Sequence, residues 1–357
     1  MERDKTKATK MHAQLINILC CPNCKGELST ENKGLYCKAC SISYGVNKDI
    51  PIMIDLDKLP EHLTQQVKYF EKDEDMSTDT YKLSPWQKRY VERFENNFGS
   101  VKDKVIIDCG TGSGYMAIEL AKKGAYVIAC DLTLKVLLRL KKIAGEKNLD
   151  SKIVFVCCTA EDLPFKNKTC DFFISNAVLE HLPKETQAIS EIKRVCRDNC
   201  GVMVVVPLKY KYLNQLYLPL NLFHDKRIGH LRRYDEIDIK RKFSDFIVHK
   251  TYYTGHSKKV GKVVVNTLIK DYFDEDEIEQ EDKKLEKIRN WASNICVILK
   301  RIASVEKKGE FMCLKCGQSS IRESKEELIC ACGQKYKKIN EIPVITLNKK
   351  LELFYDY

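Results

Sequence analysis

The chain has 357 residues and a formal net charge of +11 at pH 7, with 61 Lys and Arg against 50 Asp and Glu. This length suffices for one large core with small satellite domains, and no apolar run approaches the length of a membrane span. Lysine is spread along the chain, so charge alone leaves nucleic-acid binding and simple solvation both open. Residues 1–19 are polar, without the apolar core of a signal peptide, and together with the 17 cysteines they predict a reducing cytoplasm.

Four cysteines near the start of the chain have the spacing of a zinc site. They form two CxxC knuckles: Cys21, Cys24, Cys37 and Cys40. Two such knuckles place four thiolates tetrahedrally around one zinc ion, with a short hairpin between them. We therefore predict a zinc ribbon over residues 14–56. Disulfide pairing is the alternative, and Cys20 is a minor alternative ligand in place of Cys21.

A helical connector is predicted over residues 57–100. Four aromatic residues recur there at helical spacing: Trp86, Tyr90, Phe94 and Phe98. This stripe predicts a helix that packs on the next domain as a lid, with a stacking platform for nucleic-acid bases as the alternative.

The next apolar run ends in a glycine-rich turn. Residues 105–114 read VIIDCGTGSG, a strand that closes on Asp108 and a turn before a helical pattern. The turn has glycine at alternate positions: Gly110, Gly112 and Gly114. Glycine lets the backbone turn tightly and approach a ligand closely, because it has no Cβ. A second apolar run closes on Asp131, about 20 residues beyond the first glycine, where an acid meets a ribose diol.

The spacing of these glycines separates two classes of cofactor. A dinucleotide fingerprint would need its third glycine at the position of Tyr115, but the third glycine, Gly114, lies one residue earlier. The early glycine and the acid before the turn favour S-adenosyl-L-methionine over NAD, because S-adenosyl-L-methionine has no pyrophosphate to seat on the helix N-terminus.

Residues 158–183 carry the more specific signal, CTAEDLPFKNKTCDFFISNAVLEHLP. With the glycine turn, this segment resembles the class I S-adenosylmethionine-dependent methyltransferases of type 11, the ubiquinone-methyltransferase-like enzymes, over residues 104–270. The resemblance implies an α/β fold with a Rossmann-like sheet and a class I methyltransferase domain over residues 101–273. Strands are predicted near seven positions: Val105, Tyr126, Ile153, Asp171, Gly201, Phe246 and Val260.

The same resemblance implies which residues contact the cofactor, since open α/β sheets bind ligands at the carboxyl ends of their strands. The implied contacts run from the glycine turn to the methyl group: Asp108, Gly110, Gly112, Gly114, Asp131, Thr159, Ala160, Glu161 and Asn176. Thr159 to Glu161 border the adenine, and Thr159 stands where the family usually has an acid. The tetrad of amino-group methylating enzymes, Asp or Asn followed by Pro-Pro-Tyr or Pro-Pro-Phe, is absent after the fourth strand, which disfavours exocyclic-amine and release-factor acceptors.

The sequence identifies no catalytic residue. His181 and His230 are general-base candidates, with a satisfied structural histidine as the alternative for each. Arg232 and Arg233 either position an acceptor or cap helix ends and pair with nearby acids. Methyl transfer from a sulfonium is an in-line displacement, so alignment supplies much of the catalysis and a base is needed only when the acceptor must lose a proton.

A charged helical linker is predicted over residues 274–306, and a second zinc ribbon over residues 307–348. Its ligands are again cysteines: Cys313, Cys316, Cys330 and Cys332. A shift of the first ribbon that places Cys21 on Cys313 also superposes Tyr44 on Tyr336, so the two ends form an internal repeat. Only the third ligand slips by one residue, because the last knuckle is CxC.

Both ribbons resemble the zinc-ribbon activator subunits of tRNA, rRNA and release-factor methyltransferases. This resemblance implies a structural zinc ion in each ribbon, and it favours RNA or protein as acceptor and a protein partner recruited through the ribbons. The type 11 signature instead favours a small molecule, lipid or saccharide as acceptor. A non-catalytic scaffold that only senses the cofactor is a third alternative, which the intact glycine turn and Asp131 disfavour.

Overall fold

The computed structural model describes residues 17–31, 34–76, 81–209, 225–256, 274–301, 321–323, 327–330, 333–339 and 342–343. The chain divides into two compact units, residues 1–302 and residues 303–357. The first unit contains the N-terminal ribbon and a large sheet, and the second contains the C-terminal cysteine segment.

A seven-stranded sheet forms the centre of the first unit. Its strands are β6 (Val105–Cys109), β7 (Tyr126–Asp131), β8 (Ile153–Cys157), β9 (Cys170–Asn176), β10 (Cys196–Pro207), β11 (Phe246–Thr254) and β12 (Asn294–Arg301). The order across the sheet is β11-β12-β10-β9-β6-β7-β8, and β12 runs antiparallel to both of its neighbours. This α/β architecture is the Rossmann-like sheet that the sequence predicted.

The strands are continuous apolar runs because both faces of the sheet are covered. Ile107 packs in one buried layer and its neighbour Ile106 packs in the other, as the alternation of side chains along a strand requires. The helices of the first unit are α1 (Glu61–Met76), α2 (Pro85–Phe98), α3 (Tyr115–Lys122), α4 (Leu134–Glu146), α5 (Glu185–Val195), α6 (Glu236–Lys242) and α7 (Glu275–Leu285). In the described part of the chain, no helix combines the length and apolar character that crossing a membrane requires.

Helix α2 confirms the predicted aromatic stripe. Tyr90 and Phe94 are buried, and the Phe94 ring makes edge contacts with the rings of Phe98 and Phe172. Trp86, at the start of the helix, remains 40% exposed. The stripe therefore packs on the sheet domain, and Trp86 is its most exposed ring.

The N-terminal ribbon consists of short hairpins. Its strands are β1 (Ser29–Glu31), β2 (Gly34–Cys37), β3 (Ile42–Tyr44), β4 (Val46–Asn47) and β5 (Ile50–Pro51). The first three form an antiparallel sheet and the last two form a separate pair. The hairpin of β1 and β2 lies between the two CxxC knuckles, as the zinc-ribbon pattern predicted.

The N-terminal ribbon and the large sheet share backbone contacts and one core. Ile52 bridges Cys157 on the edge strand β8, and the Met53 N–H donates to the Cys157 carbonyl at 2.7 Å. Leu19 pairs with Phe165 in an antiparallel bridge, and both side chains lie in the same buried cluster. The ribbon therefore covers the free edge of β8, which would otherwise expose unpaired backbone groups.

An ion pair joins the ribbon to helix α5. The Lys25 ammonium donates to Glu191 at 2.7 Å, and the Arg194 guanidinium donates to both oxygens of the same carboxylate. Burial opposes the charged form of Glu191, but the two cations prevail and lower its pKa. This half-buried triad fixes the knuckle of Cys21 and Cys24 against the sheet domain.

The predicted linker over residues 274–306 is wrong in its second half. Residues 275–285 are helical, but Asn294–Arg301 is strand β12, which lies between β10 and β11. The apolar run Ile295–Leu299 is completely buried, as expected for a strand covered on both faces. The large sheet therefore extends past residue 273, and the strand predicted near Val260 lies outside the described residues.

The second unit reproduces the strand pairing of the first ribbon. Its described strands are β13 (Ile321–Glu323), β14 (Glu327–Cys330), β15 (Lys335–Ile339) and β16 (Ile342–Pro343), in that order across the sheet. Leu328 pairs with Tyr336 there, as Leu35 pairs with Tyr44 in the first ribbon. The same leucine–tyrosine cross-strand pair is therefore present in both units.

We expect Phe165→Ala to destabilise the ribbon and the sheet together. The ring is completely buried beside Leu19, and removing a buried Phe side chain costs about 3–5 kcal/mol of unfolding free energy. Urea unfolding should show this loss, and amide hydrogen exchange should accelerate both in residues 34–51 and in β8. Ile247→Ala, at a side chain that is 57% exposed, is the matched control with little effect. Faster exchange confined to the ribbon would contradict the shared core.

Candidate functional site

The strand register brings three predicted cofactor positions to one level of the sheet. Cys109 at the end of β6 pairs with Cys130 on β7 and with Ser175 on β9. The next residue of each strand, Gly110, Asp131 or Asn176, therefore lies at the same carboxyl edge. Strand β7 lies on one side of β6 and strand β9 lies on the other, so the strand order reverses at β6. Open α/β sheets bind ligands at such a topological switch point, outside the carboxyl ends of the strands.

The three glycines of the turn have different physical reasons to be glycine. All three have positive φ, with values of +69° at Gly110, +49° at Gly112 and +73° at Gly114. A Cβ on Gly110 would collide with Val178, and one on Gly114 would collide with Leu140. A Cβ on Gly112 would meet only the Gly110 carbonyl oxygen, at 3.9 Å. Gly112 alone therefore has open space above it for a ligand, and the other two are required by the packing of the protein itself.

Two aspartates lie beside this turn. Asp131 accepts hydrogen bonds from the N–H groups of Gly112 (3.1 Å) and Thr133 (2.9 Å), so it holds the turn against the end of β7. Asp108 accepts a hydrogen bond from the Thr111 hydroxyl at 2.7 Å. Burial raises the pKa of both carboxyl groups, and the pKa of Asp108 reaches about 6 with an added contribution from the charge of Asp131.

Helix α2 begins over the glycine turn. Its Gln87 side chain donates to the Ser113 hydroxyl at 3.2 Å, and the Trp86 ring makes an edge contact with the Tyr115 ring. The Asn176 amide donates to the Tyr115 hydroxyl at 2.6 Å, which joins the end of β9 to the start of α3. Sequence reasoning missed Tyr115 as a neighbour of Asn176, because the contact depends on the packing of α3 against the sheet.

The three residues of the predicted adenine loop make different contacts. The Thr159 hydroxyl accepts a hydrogen bond from the Glu161 N–H, and Ala160 is buried. The Glu161 carboxylate accepts from the Lys184 N–H at 2.6 Å, at the start of α5. The Glu161 side chain therefore contacts the N-terminus of a helix.

Glu180, His181 and His230, here called the Glu–His cluster, meet beside the short helical turn that follows β9. One ligand atom from each residue lies within 4.8 Å of the others. Burial raises the pKa of Glu180 to about 8, and burial together with the charge of His230 lowers the pKa of His181 to about 4. The sequence indicated each histidine singly, but their meeting with Glu180 depends on how residues 229–231 pack on the turn after β9.

The two arginines near this cluster have structural partners. Arg232 donates to the carbonyls of Leu179 and Leu182, so it caps the short helical turn that contains Glu180. Arg233 donates to both oxygens of Asp225, at 2.7 Å and 2.6 Å. These contacts favour the helix-capping interpretation of Arg232 over a role in binding an acceptor.

The structure brings the four N-terminal cysteines together. Cys21 Sγ lies 3.9 Å from Cys40 Sγ, and Cys24 Sγ lies 3.5 Å from Cys37 Sγ. Four sulfur atoms around a zinc ion, with Zn–S distances of about 2.3 Å, lie about 3.8 Å apart. Burial opposes ionisation of Cys21, but hydrogen bonds from the Tyr44 hydroxyl and two backbone N–H groups lower its pKa to about 7. The thiol set therefore fits a closed zinc site, and Cys21 rather than Cys20 belongs to it.

A third group of thiols lies in the core of the sheet domain. Cys170, Cys196 and Cys200 are buried, and their sulfur atoms lie within 4.8 Å of one another. The C-terminal set falls outside the described part of the chain: Cys313, Cys316, Cys332 and the side chain of Cys330. The five cysteines predicted to be buried near strands are buried: Cys109, Cys130, Cys157, Cys158 and Cys170.

The glycine turn thus has open space above Gly112 and two carboxyl groups beside it. Two family models match segments of this chain. The one described as methyltransferase domain matches residues 107–204, and the one described as Trm112p-like protein matches residues 12–49. The tRNA 5-carboxymethoxyuridine methyltransferase of Escherichia coli K12 is 31% identical over 99 residues, which are 28% of this chain and 38% of that protein.

Two further relatives match longer segments. The ubiquinone/menaquinone biosynthesis C-methyltransferase of Rickettsia prowazekii is 27% identical over 128 residues, 34% of this chain and 49% of that protein. An uncharacterized protein of Methanocaldococcus jannaschii is 27% identical over 202 residues, 56% of this chain and 76% of that protein. The chain thus spans less than half of either named methyltransferase. Residues 107–204 are a methyltransferase domain of the S-adenosyl-L-methionine-dependent class, and residues 12–49 are a Trm112p-like zinc-ribbon domain.

Proposed function

We propose that the protein transfers a methyl group from S-adenosyl-L-methionine to an acceptor. The observation that supports this most strongly is the combination of free space above Gly112 with the Asp131 carboxylate, which accepts from the Gly112 N–H at 3.1 Å. A ligand seated on the turn thus has a charged acceptor for its ribose hydroxyls within reach. Asp108 offers a second carboxylate, which suits the ammonium group of the methionine moiety.

Alignment is the main contribution that these residues make to the reaction. The sulfonium supplies a very good leaving group, so the protein must hold the acceptor atom in line with the methyl group and exclude water. Asn176, fixed by its hydrogen bond to Tyr115, lies at the level of the turn where the methyl group would face the acceptor. Thr159 and Ala160 border the adenine in this proposal.

We infer a small molecule, lipid or saccharide as acceptor. Helix α1 covers the acceptor side, because His62 hydrogen-bonds to the His181 carbonyl at 3.0 Å and Gln66 donates to the Ile228 carbonyl at 3.2 Å. A covered site suits a small acceptor group better than a structured macromolecule.

RNA is the second candidate acceptor, and a different observation favours it. The Trm112p-like domain packs on the edge of the methyltransferase sheet, and one relative acts on tRNA by its name. The net charge of +11 would assist binding to a polyanion. Labelled methyl donor added to cell extract with the purified protein, before and after RNase treatment, separates these classes. Label that disappears with RNase would overturn the small-molecule proposal.

We also propose that each ribbon holds one structural zinc ion and that the protein acts in a reducing cytoplasm. The described cysteines are free thiols, and most are buried, which suits such a compartment. Four thiolates leave the metal no open position, so the ribbon zinc would stabilise the fold without taking part in methyl transfer. The outer faces of the ribbons are candidate surfaces for a protein partner.

Asp131→Ala should weaken S-adenosyl-L-methionine binding by about tenfold or more. Charge-assisted hydrogen bonds contribute on the order of 1.5–3 kcal/mol each, and tenfold in affinity corresponds to about 1.4 kcal/mol. Calorimetry measures the affinity, and thermal unfolding reports the loss of the two backbone hydrogen bonds to Asp131. Asp103→Ala, at an exposed acid far from the turn, is the control. Unchanged affinity, or tight NAD binding by the parent protein, would contradict the assignment.

Asp108→Asn should raise stability and lower cofactor affinity at neutral pH. The pKa of Asp108 lies at about 6 in the folded protein, above its ordinary value of 3.8. Its stabilising contribution is therefore complete below about pH 4 and is lost as the pH rises through about 6, by at most about 3 kcal/mol. Urea unfolding of parent and variant from about pH 4 to about pH 7 should show this difference. A pH-independent difference would contradict the raised pKa.

Two pairs of cysteine variants test the ribbons. We expect two zinc ions per chain by elemental analysis, and one after either Cys21 and Cys24 or Cys313 and Cys316 are changed to serine. The N-terminal pair should also lower the thermal stability of the methyltransferase domain, because that ribbon shares its core with the sheet. The C-terminal pair should leave cofactor affinity unchanged. Protein purified without chelator that contains no zinc would remove the zinc proposal.

A further inference from the structure

The buried thiols of Cys170, Cys196 and Cys200, here called the three-thiol cluster, lie at the edge of the sheet opposite the glycine turn. Cys170 is the first residue of β9 and Cys196 is the first residue of β10, and the two are level in the parallel ladder. The glycine turn instead follows the last residue of β6, which is parallel to β9. The cluster is therefore separate from the cofactor site, and an inference from it does not depend on the proposed methyl transfer.

An irregularity in β10 brings the third thiol into the cluster. In a regular strand, residues four apart are separated by about 13 Å, yet the Sγ atoms of Cys196 and Cys200 lie within 4.8 Å of each other. The ladder with β9 shifts register between Cys196 and Gly201, and Asn199 within the shift has a φ of +67°. Residues 198–199 are exposed, whereas Cys196 and Cys200 are buried. The chain thus leaves the strand and returns, and a second sulfur atom from the same strand lies beside Cys170.

The spacing of the three sulfur atoms fits a three-coordinate metal site. All three lie within 4.8 Å of one another. With metal–sulfur distances of about 2.3 Å, three sulfur atoms in a trigonal site lie about 4.0 Å apart, and a larger ion holds them somewhat farther apart. Among the residues that the structure describes, no fourth Cys, His, Asp or Glu joins this group. Structural zinc takes four ligands, so the cluster suits a soft ion that accepts three thiolates better than it suits zinc.

A cation beside the cluster offsets the charge of such a site. The Arg301 guanidinium donates to the carbonyl oxygens of Lys193 and Cys196, at 2.8 Å and 2.5 Å. Burial opposes ionisation of Cys196, but contacts with the other two thiols and the charge of Arg301 lower its pKa. Three thiolates around a divalent ion leave one excess negative charge, which the guanidinium balances. A buried site tolerates charges best when they are paired in this way.

The protons on the other two thiols do not exclude a metal. Burial raises the pKa of Cys170 and of Cys200, and each thiol donates weakly to a backbone carbonyl oxygen at 3.5 Å. The thiols of the N-terminal ribbon show the same division, because the pKa of Cys21 is lowered whereas those of Cys24 and Cys37 are raised. Metal ions displace thiol protons when they bind, so a mixture of thiol and thiolate is the expected metal-free form of either set.

We propose that Cys170, Cys196 and Cys200 bind one soft divalent metal ion, such as cadmium, through three thiolates. The thiol protons are released to solvent on binding. Arg301 is a positioning residue, which fixes the start of β10 and balances the charge. The exposed residues 198–199 place the segment that carries two of the ligands at the protein surface, where an ion can enter. Zinc lacks a fourth ligand here and should remain in the ribbons.

Complete exchange of the full-length protein into cadmium tests this site. The ribbon thiols also take up cadmium, so the decisive quantity is the difference between the parent and a variant. After dialysis against buffered cadmium, elemental analysis should find one cadmium fewer per chain in Cys196→Ser and in Cys200→Ser than in the parent. Cys296→Ser, at an equally buried thiol in the other core layer, is the matched control with the cadmium content of the parent.

Spectroscopy on the parent protein keeps the test decisive where a variant fails to fold. Cadmium NMR should show the resonance of a three-sulfur site beside those of the four-sulfur ribbons, and this resonance should persist when Cys21 and Cys24 are changed to serine. Equal cadmium content in the parent and Cys196→Ser, or four-sulfur resonances alone, overturns the proposal. Calorimetry of S-adenosyl-L-methionine with the zinc-loaded protein reports on the cofactor site independently.

Discussion

The functional site depends on the parallel pairing of β6 with both β7 and β9. Because Cys109 is level with Cys130 and Ser175, the residues that follow each strand converge at one edge. The hydrogen bonds between the strands, rather than the local sequence, determine which side chains are neighbours there. The same register places the turn after β9, and therefore Glu180, at that edge.

The N-terminal ribbon extends this sheet rather than standing apart from it. Its Ile52 bridges the edge strand β8, and Leu19 completes a buried cluster with Phe165. A small ribbon cannot bury enough apolar surface alone, and an uncovered β8 would expose unpaired backbone groups. The sheet domain buries apolar side chains of the ribbon, and the ribbon pairs with backbone groups at the end of β8. The sheet and the N-terminal ribbon therefore share one buried core.

The buried carboxyl groups of the site reduce the stability of the folded protein. Asp108 and Glu180 both have pKa values raised by burial, and Asp131 is shifted in the same direction. In the unliganded protein these carboxylates lower the free energy of unfolding, because desolvation is only partly offset by hydrogen bonds. A cationic cofactor would offset that term on binding. The arrangement sacrifices stability for an electrostatic environment that is ready before a ligand arrives.

The sequence alone determined the elements whose signals are local. Strand runs, the glycine turn, Asp131 and the CxxC knuckles follow from periodicity, backbone freedom and ligand spacing, which neighbouring residues encode. Tertiary structure decided which groups meet. The run Ile295–Leu299 became a strand because β10 and β11 flank it, although the charged helix before it suggested a linker. Only Gly112 kept open space above the turn, because Val178 and Leu140 pack against the other two glycines. Glu180 and His230 lie about 50 residues apart along the chain, and only the packing of loops on the turn after β9 makes them one cluster.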